Sequence, residues 1–487
     1  MSRSSFFFVF LFLTFTFPTF FSSLASAENI QQALEREIKN PAFSPQQTAL
    51  VVAKAETGEK IAAIHADELL SPASTAKIVT TVATLSLLGP QYTLPTYFYA
   101  DQAPRQGKIK NLYIKGTGDP FIVNEQLWRM VHNLAIAGVE SIEGDIIIDN
   151  SFFDAYDYPS SGQNSMRAYG AQTAAFSTNF NSIALHLFPT QNNAPARVIM
   201  DPPIQTIKLI NRVKTGKKYT IHFDSMVANG IETITISGSL PASMKRKTIY
   251  RSVANPLAAA GGTLLYFLDQ HGIEHREHIQ IRNEKVPASA SLILKEESKS
   301  LSLLLRDMNK FSNNFVAEQL TKHLGAVKYG FPGSTEKGIR AMHSFFTAKN
   351  IPLDGMQVEN GSGLSNKTRL TARQLVSMLE IAYQDFSLRS DLMQSLSVFG
   401  VDGTLKHWGG NEAHPLYGQL KAKTGTLSGT SALAGFVPLK NGEVAVFALI
   451  ANGFRKSISH VHDAQLSIAE KIMNSSFSLS TASEEIK

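Results

Sequence analysis

The sequence predicts an α+β fold: one antiparallel five-stranded sheet, completed jointly by the two ends of the chain and flanked by helices, with two β-rich domains inserted between. Three observations lead there. A hairpin pattern near the N-terminus runs directly into a helical one, three strand-like runs and a helix close the chain, and the long middle stretch consists of short alternating runs.

The elements follow in order. Met1 to Ala27 carries one charge, Arg3, then a Phe/Leu-rich stretch from Phe6 to Phe21, then Ala25-Ser26-Ala27. This reads as a signal peptide with an A-x-A cleavage site and implies export to the periplasm or beyond. The alternative, an uncleaved anchor, is disfavoured because the apolar stretch is short for a bilayer and Pro18 interrupts it. No other stretch is apolar enough to span a membrane. The chain has no cysteine, which excludes disulfides and a lipid-modified cysteine, so stability rests on core packing.

Ala49 to Lys54, the turn Glu56-Thr57-Gly58 and Lys60 to His65 read as a β-hairpin. Pro72 then precedes Ser74, and Ile78, Val79, Val82, Leu85 and Leu88 recur at helical spacing until Gly89-Pro90. From Gly89 to about Leu294 come short runs such as Leu112 to Lys115, Asp145 to Asp149, Ala196 to Met200, Thr220 to Phe223 and Thr233 to Ser237. They are assigned to one inserted domain, 89–187 with 244–294, that itself carries a second, 188–243. Phe311 to Leu324 reads as a helix with Phe315, Val316 and Leu320 on one side. Gln419 to Leu427, Ser431 to Val437 and Val444 to Ile450 are strand-like, the last two joined at Lys440-Asn441-Gly442. Ile458 to Met473 places Val461, Ala464, Ile468, Ala469 and Ile472 on one helical face. Residues 28–88 and 295–474 thus form the main domain, and Ser475 to Lys487 reads as a disordered tail.

Lys and Arg number 46 against 40 Asp and Glu; one of the 46 is in the leader, leaving a surplus of +5. A surplus this small reads first as a solvated surface and only second as a preference for an anionic polymer such as a cell wall. No basic stripe with interleaved aromatics is present, which excludes nucleic acid as a partner.

Three short motifs carry chemistry. In Ser74-Thr75-Ala76-Lys77 the serine and lysine are three residues apart at a helix start, so Ser74 Oγ and Lys77 Nζ come within hydrogen-bond reach. Burial and a second cation, Lys423, are expected to lower the Lys77 pKa enough for it to act as a base, and the helix start favours a developing alkoxide. In Ser312-Asn313-Asn314, Ser312 is placed to relay a proton and Asn314 to hold an amide carbonyl or Lys77. A bare Ser-x-Asn is equally a helix N-cap. In Lys423-Thr424-Gly425-Thr426, on an edge strand, Lys423 and Thr424 suit a carboxylate and Gly425 lets a peptide lie close. The Thr426 N–H, paired with that of Ser74, suits an oxyanion hole. The ordered set describes a serine that is acylated on a carbonyl.

The chain resembles the D-alanyl-D-alanine carboxypeptidase/endopeptidase family of class C low-molecular-mass penicillin-binding proteins. Besides Pro72 to Lys77 and Ala422 to Gly429, the resemblance rests on Gly118-Asp119-Pro120, Gly144-Asp145 through Phe153, Asn360 to Ser365 and Val401 to Leu405. The separation of 238 positions from Ser74 to Ser312 (312 − 74) matches the two extra domains of that family. The resemblance implies a β-lactamase/transpeptidase-like domain and hydrolysis of D-Ala-D-Ala, or of D-Ala cross-links, in peptidoglycan stem peptides. It also implies an acyl-enzyme on Ser74, acylation by β-lactam antibiotics and no cofactor. Self-association as a homodimer stays open. Relatives often carry Arg where this chain has Asn366, followed here by Lys367 and Arg369, and Ser160 to Tyr169 lacks their Trp and acidic residues. Recognition of the stem-peptide side chain is thereby left open, as is the choice between carboxypeptidase and endopeptidase action. A β-lactamase and a non-catalytic wall-binding protein are the rival readings. His271, His275 and His278 with Glu274 and Glu277 read as an exposed turn, not as a metal site.

Overall fold

A strand buried at nearly every position needs cover on both faces, and the C-terminal strands Thr430–Pro438 and Val444–Asn452 are such strands, buried along almost their whole length. In the computed structural model, which describes residues 30–154, 166–228, 230–409 and 411–475, alternate residues of these strands enter two separate cores. Ala432, Ala434, Phe436, Val446, Ala448 and Ile450 face one, with the helices Lys77–Leu88, Leu301–Lys310, Asn314–Tyr329, Thr335–Ala348 and Ala372–Gln384. Leu433, Val437, Ala445, Phe447, Leu449 and Ala451 face the other, under Ile30–Ile38 and Ile458–Asn474.

The hairpin Thr48–Lys54 and Lys60–Ile64 joins this sheet at Val444–Asn452, in antiparallel register from Thr48 opposite Ala451 to Lys54 opposite Ala445. The ends of the chain therefore share one sheet, as expected. The sheet has six strands, however, not five. Ser397–Val398 pairs with Lys421–Leu427 through Ser397 opposite Ala422 and Val398 opposite Lys421, and two residues are too few to leave an alternation signature. The pairing stops at Ala422, so the motif strand is an edge strand only from Lys423 onward among the described residues.

The inserted region is β-rich, as expected, and also carries two long helices that were not singled out from the sequence. A five-stranded sheet, Ile281–Arg282, Ile146–Asp149, Leu112–Lys115, Thr96–Ala100 and Ser291–Glu296, shares a third core with the helices Asn124–Ile136 and Pro256–Gln270. The first helix buries Leu127, Met130, Val131 and Leu134, a helical spacing. The second begins at the Asn255 cap with Pro256 in its first turn and is too rich in Ala and Gly to show a stripe. Two three-stranded sheets enclose a fourth core. Strands Ser182–Phe188 and Lys247–Ser252 pair with each other and bury Ile183, Leu185, Leu187 and Ile249 in it. We therefore propose that the inner domain runs from about 182 to about 252, wider than 188–243. The predicted signal peptide, and the tail from 476 on, lie outside the described residues.

Phe447 sits in the middle of the second core with no exposed surface. Phe447→Ala is expected to destabilise the chain by roughly 3–5 kcal/mol, read as a lower midpoint in urea at unchanged slope; a cost under about 1 kcal/mol would contradict this placement of the core.

Candidate active site

The helix that carries Lys77 is preceded by a 3-10 turn, Ala73–Ala76, so Ser74 lies at a helix start. Ala73 holds φ at +47°, and Ser312 at +54°. Such conformations cost non-glycine residues on the order of 1–3 kcal/mol and persist only where the surroundings enforce them. The structure brings all the motif residues to this place and changes one detail. Ser312 is not in a helix: it occupies the turn before Asn314–Tyr329, and Asn313 caps that helix by accepting the Val316 N–H.

Lys77 is fully buried and its Nζ meets three oxygens: Asn314 Oδ1 at 2.7 Å, the Ser362 carbonyl at 2.7 Å and Ser74 Oγ at 3.1 Å. Carbonyl oxygens only accept. The Asn314 amide is oriented by its other end, which donates to the Tyr169 carbonyl at 3.1 Å. A neutral Lys77 amine would satisfy both carbonyls with its two N–H groups and turn its lone pair toward Ser74 Oγ. Burial brings the Lys77 pKa down to about 7, with Glu318 acting in the opposite direction. The expected lowering by Lys423 does not act on Lys77, whose shift comes from burial. It acts instead on Lys423, which burial first and Lys77 second hold well below the usual lysine value.

Lys423 Nζ donates to Ser312 Oγ at 3.0 Å and to the Thr424 carbonyl at 2.7 Å. The Thr424 hydroxyl lies 2.7 Å from that of Thr404, which is tied in turn to Ser397. Gly425 is held to glycine by proximity: a Cβ there would stand 2.6 Å from the Pro72 carbonyl oxygen and 3.1 Å from the Ser74 and Thr75 nitrogens. The motif strand thus lies directly against the turn that presents the serine, and Thr426 remains exposed. Beside Ser312 and Asn314 opens a cavity of about 730 Å³ walled by aromatic residues, among them Tyr169, Phe180, Tyr250 and Phe311.

Three contributors were not singled out from the sequence. Ser362 acts through its backbone carbonyl, which no residue type reveals; its Gly-Ser-Gly setting was read only as a tight loop. Thr404 stood within a quoted motif without a role. Glu318 could have been found as the one acid among Phe315, Val316, Ala317 and Leu320. The histidine group is dispersed: His271 packs beside Trp128 and His132, and His275 pairs with Asp269. Among the described residues no three acidic or histidine side chains gather as a metal site. Residues 160–165 lie outside the described residues, while Asn366, Lys367 and Arg369 line an open cavity of about 590 Å³.

The profile of the D-Ala-D-Ala carboxypeptidase 3 (S13) family matches residues 30–472. This chain belongs to the S13 family. It is 31% identical over 455 residues to a D-alanyl-D-alanine carboxypeptidase from Actinomadura sp. (strain R39), spanning 89% of this chain and 82% of the relative. It is 28% identical over 405 residues to the D-alanyl-D-alanine carboxypeptidase DacB of Haemophilus influenzae, spanning 81% and 83%. The crystal structure of penicillin binding protein 4 (dacB) from Haemophilus influenzae superposes with a TM-score of 0.76 at 23% identity, covering 90% of the S13 chain described here and 98% of its own. At that identity the likeness speaks for the shared fold.

In this S13 chain, Gly425→Ala is expected to push the motif strand off the serine turn and lower stability by about 1–3 kcal/mol, measured by thermal or urea unfolding. An unchanged stability would contradict the close approach.

Proposed function

We propose that the chain is a serine-type D-Ala-D-Ala carboxypeptidase that removes the terminal D-Ala of peptidoglycan stem peptides through an acyl-enzyme on Ser74. One observation carries the assignment of roles: the buried Lys77 amine sits between two carbonyl acceptors with its third direction on Ser74 Oγ. In this reading Ser74 Oγ attacks the penultimate D-Ala carbonyl as its proton passes to Lys77 Nζ. The N–H groups of Ser74 and Thr426 hold the oxyanion. The C–N bond then breaks, and the leaving D-Ala amine takes a proton delivered through Lys77 and Ser312. Lys423 and Thr424 bind the terminal carboxylate, and Asn314 positions both Lys77 and the substrate amide. Water hydrolyses the ester and frees Ser74.

A β-lactam would acylate Ser74 by the same steps, its amine remaining tethered. A cross-link places an amide on the same D-Ala carbonyl, so DD-endopeptidase action is part of the proposal. The leader assigns the reaction to the periplasm.

The test combines labelled penicillin with a muropeptide assay. Wild-type protein is expected to hold a stable label and to release D-Ala from a pentapeptide, and Ser74→Ala is expected to lose both. Full labelling of Ser74→Ala would refute the nucleophile assignment. Rapid loss of the label with no D-Ala release would favour a β-lactamase, and neither activity a wall-binding protein.

A further inference from the structure

We propose that Glu318 is a positioning residue for acylation: its buried carboxylate grips the Gly361–Ser362 backbone and so fixes the Ser362 carbonyl against Lys77 Nζ. This rests on the reading of Lys77 as the base.

The geometry is specific. Asn314 and Glu318 are four residues apart on one helix and so share a face. Asn314 meets Lys77 directly. One turn further along, the two Glu318 oxygens accept the Gly361 N–H at 3.1 Å and the Ser362 N–H at 3.2 Å. The Ser362 carbonyl then accepts from Lys77 at 2.7 Å. The loop is clamped from both sides. The Thr80 hydroxyl, on the serine's own helix, donates to the Gly361 carbonyl at 2.8 Å, and a Cβ on Gly361 would stand 1.9 Å from Thr321 Oγ1. Glu318 thus transmits the position of one helix to the amine on another.

Glu318 is 4% exposed, and an isolated buried carboxylate is costly unless its charge is met. The charged groups facing Lys77 are Glu318 and Lys423. Lys322, one turn beyond Glu318, is engaged by Asp154 and is not its counter-ion. Burial pushes the Glu318 carboxyl above its usual value, while the Ser362 hydroxyl, the two N–H donors and Lys77 favour its ionised form. Removing the carboxylate would take away the anion that faces Lys77 among the described residues, and the amine would give up its proton more readily.

The experiment measures second-order acylation by a fluorescent penicillin between about pH 5 and pH 9 for wild-type, Glu318→Gln and Glu318→Asp proteins. Wild-type acylation is expected to rise with pH, because the free amine is the base, with a midpoint near 7. Glu318→Gln is expected to move the midpoint down by about one pH unit and to lower the plateau, since a carboxamide cannot accept at both ends. Glu318→Asp keeps the charge and is expected to hold the wild-type midpoint at a reduced rate. A Glu318→Gln midpoint equal to wild type would reduce Glu318 to a structural group, and an aspartate midpoint shifted as far as glutamine's would overturn the charge argument. Should Glu318→Gln fail to fold, Glu318→Asp decides: an acylation rate equal to wild type would overturn the positioning role, and a midpoint lowered by about one pH unit would overturn the charge argument. Absence of any Ser74 acylation in the wild type would overturn the proposed function instead.

Discussion

A lysine amine taken completely out of water is the constraint on which the rest of the site depends. Lys77 has no exposed surface, so its charge is disfavoured, and its three contacts come from three separate stretches of chain: the serine turn, the start of the Asn314–Tyr329 helix and the Ser362 loop. Each stretch must stay within tenths of an ångström for both carbonyls to be satisfied at once. The site is therefore only as well formed as the packing that brings the three together.

That packing is supplied by the doubly covered sheet. Strands whose alternate residues enter two cores resist a slip of register, since a one-residue shift would exchange both sets of contacts. Lys421–Leu427 inherits its position from this meander and lies close enough to the serine turn to exclude any side chain at Gly425. The left-handed backbone at Ala73 and Ser312 is held in place by the same surroundings. The third and fourth cores stand apart from those of the six-stranded sheet, and the cavity at Ser312 is lined both by residues of the inserted region, such as Tyr169 and Tyr250, and by Phe311 to Phe315.

Much of this was legible in the sequence where a physical signal was strong. The hairpin, the serine helix with its Gly89 stop and the three C-terminal strands carried clear periodicity, and the order of the three motifs located the site. The short strand Ser397–Val398 was not legible because two residues carry no period. The helix Pro256–Gln270 was hidden by small residues, and Ser312 was assigned to a helix that begins two residues later because a helical pattern does not announce its capping turn. The Ser362 carbonyl and the Glu318 clamp depend on backbone groups, which all sequences possess alike. Only the lone acid in an apolar helical run hinted at them.

The most direct measurement is the titration of Lys77 itself. Lysine side chains labelled with ¹⁵N, with the Lys77 signal assigned by its loss in Lys77→Met, would report the protonation of that one amine by NMR across the pH range. The expected midpoint lies near 7. A midpoint near the ordinary lysine value of about 10.4 would contradict it, because the amine could not then accept the Ser74 proton as a free base at neutral pH.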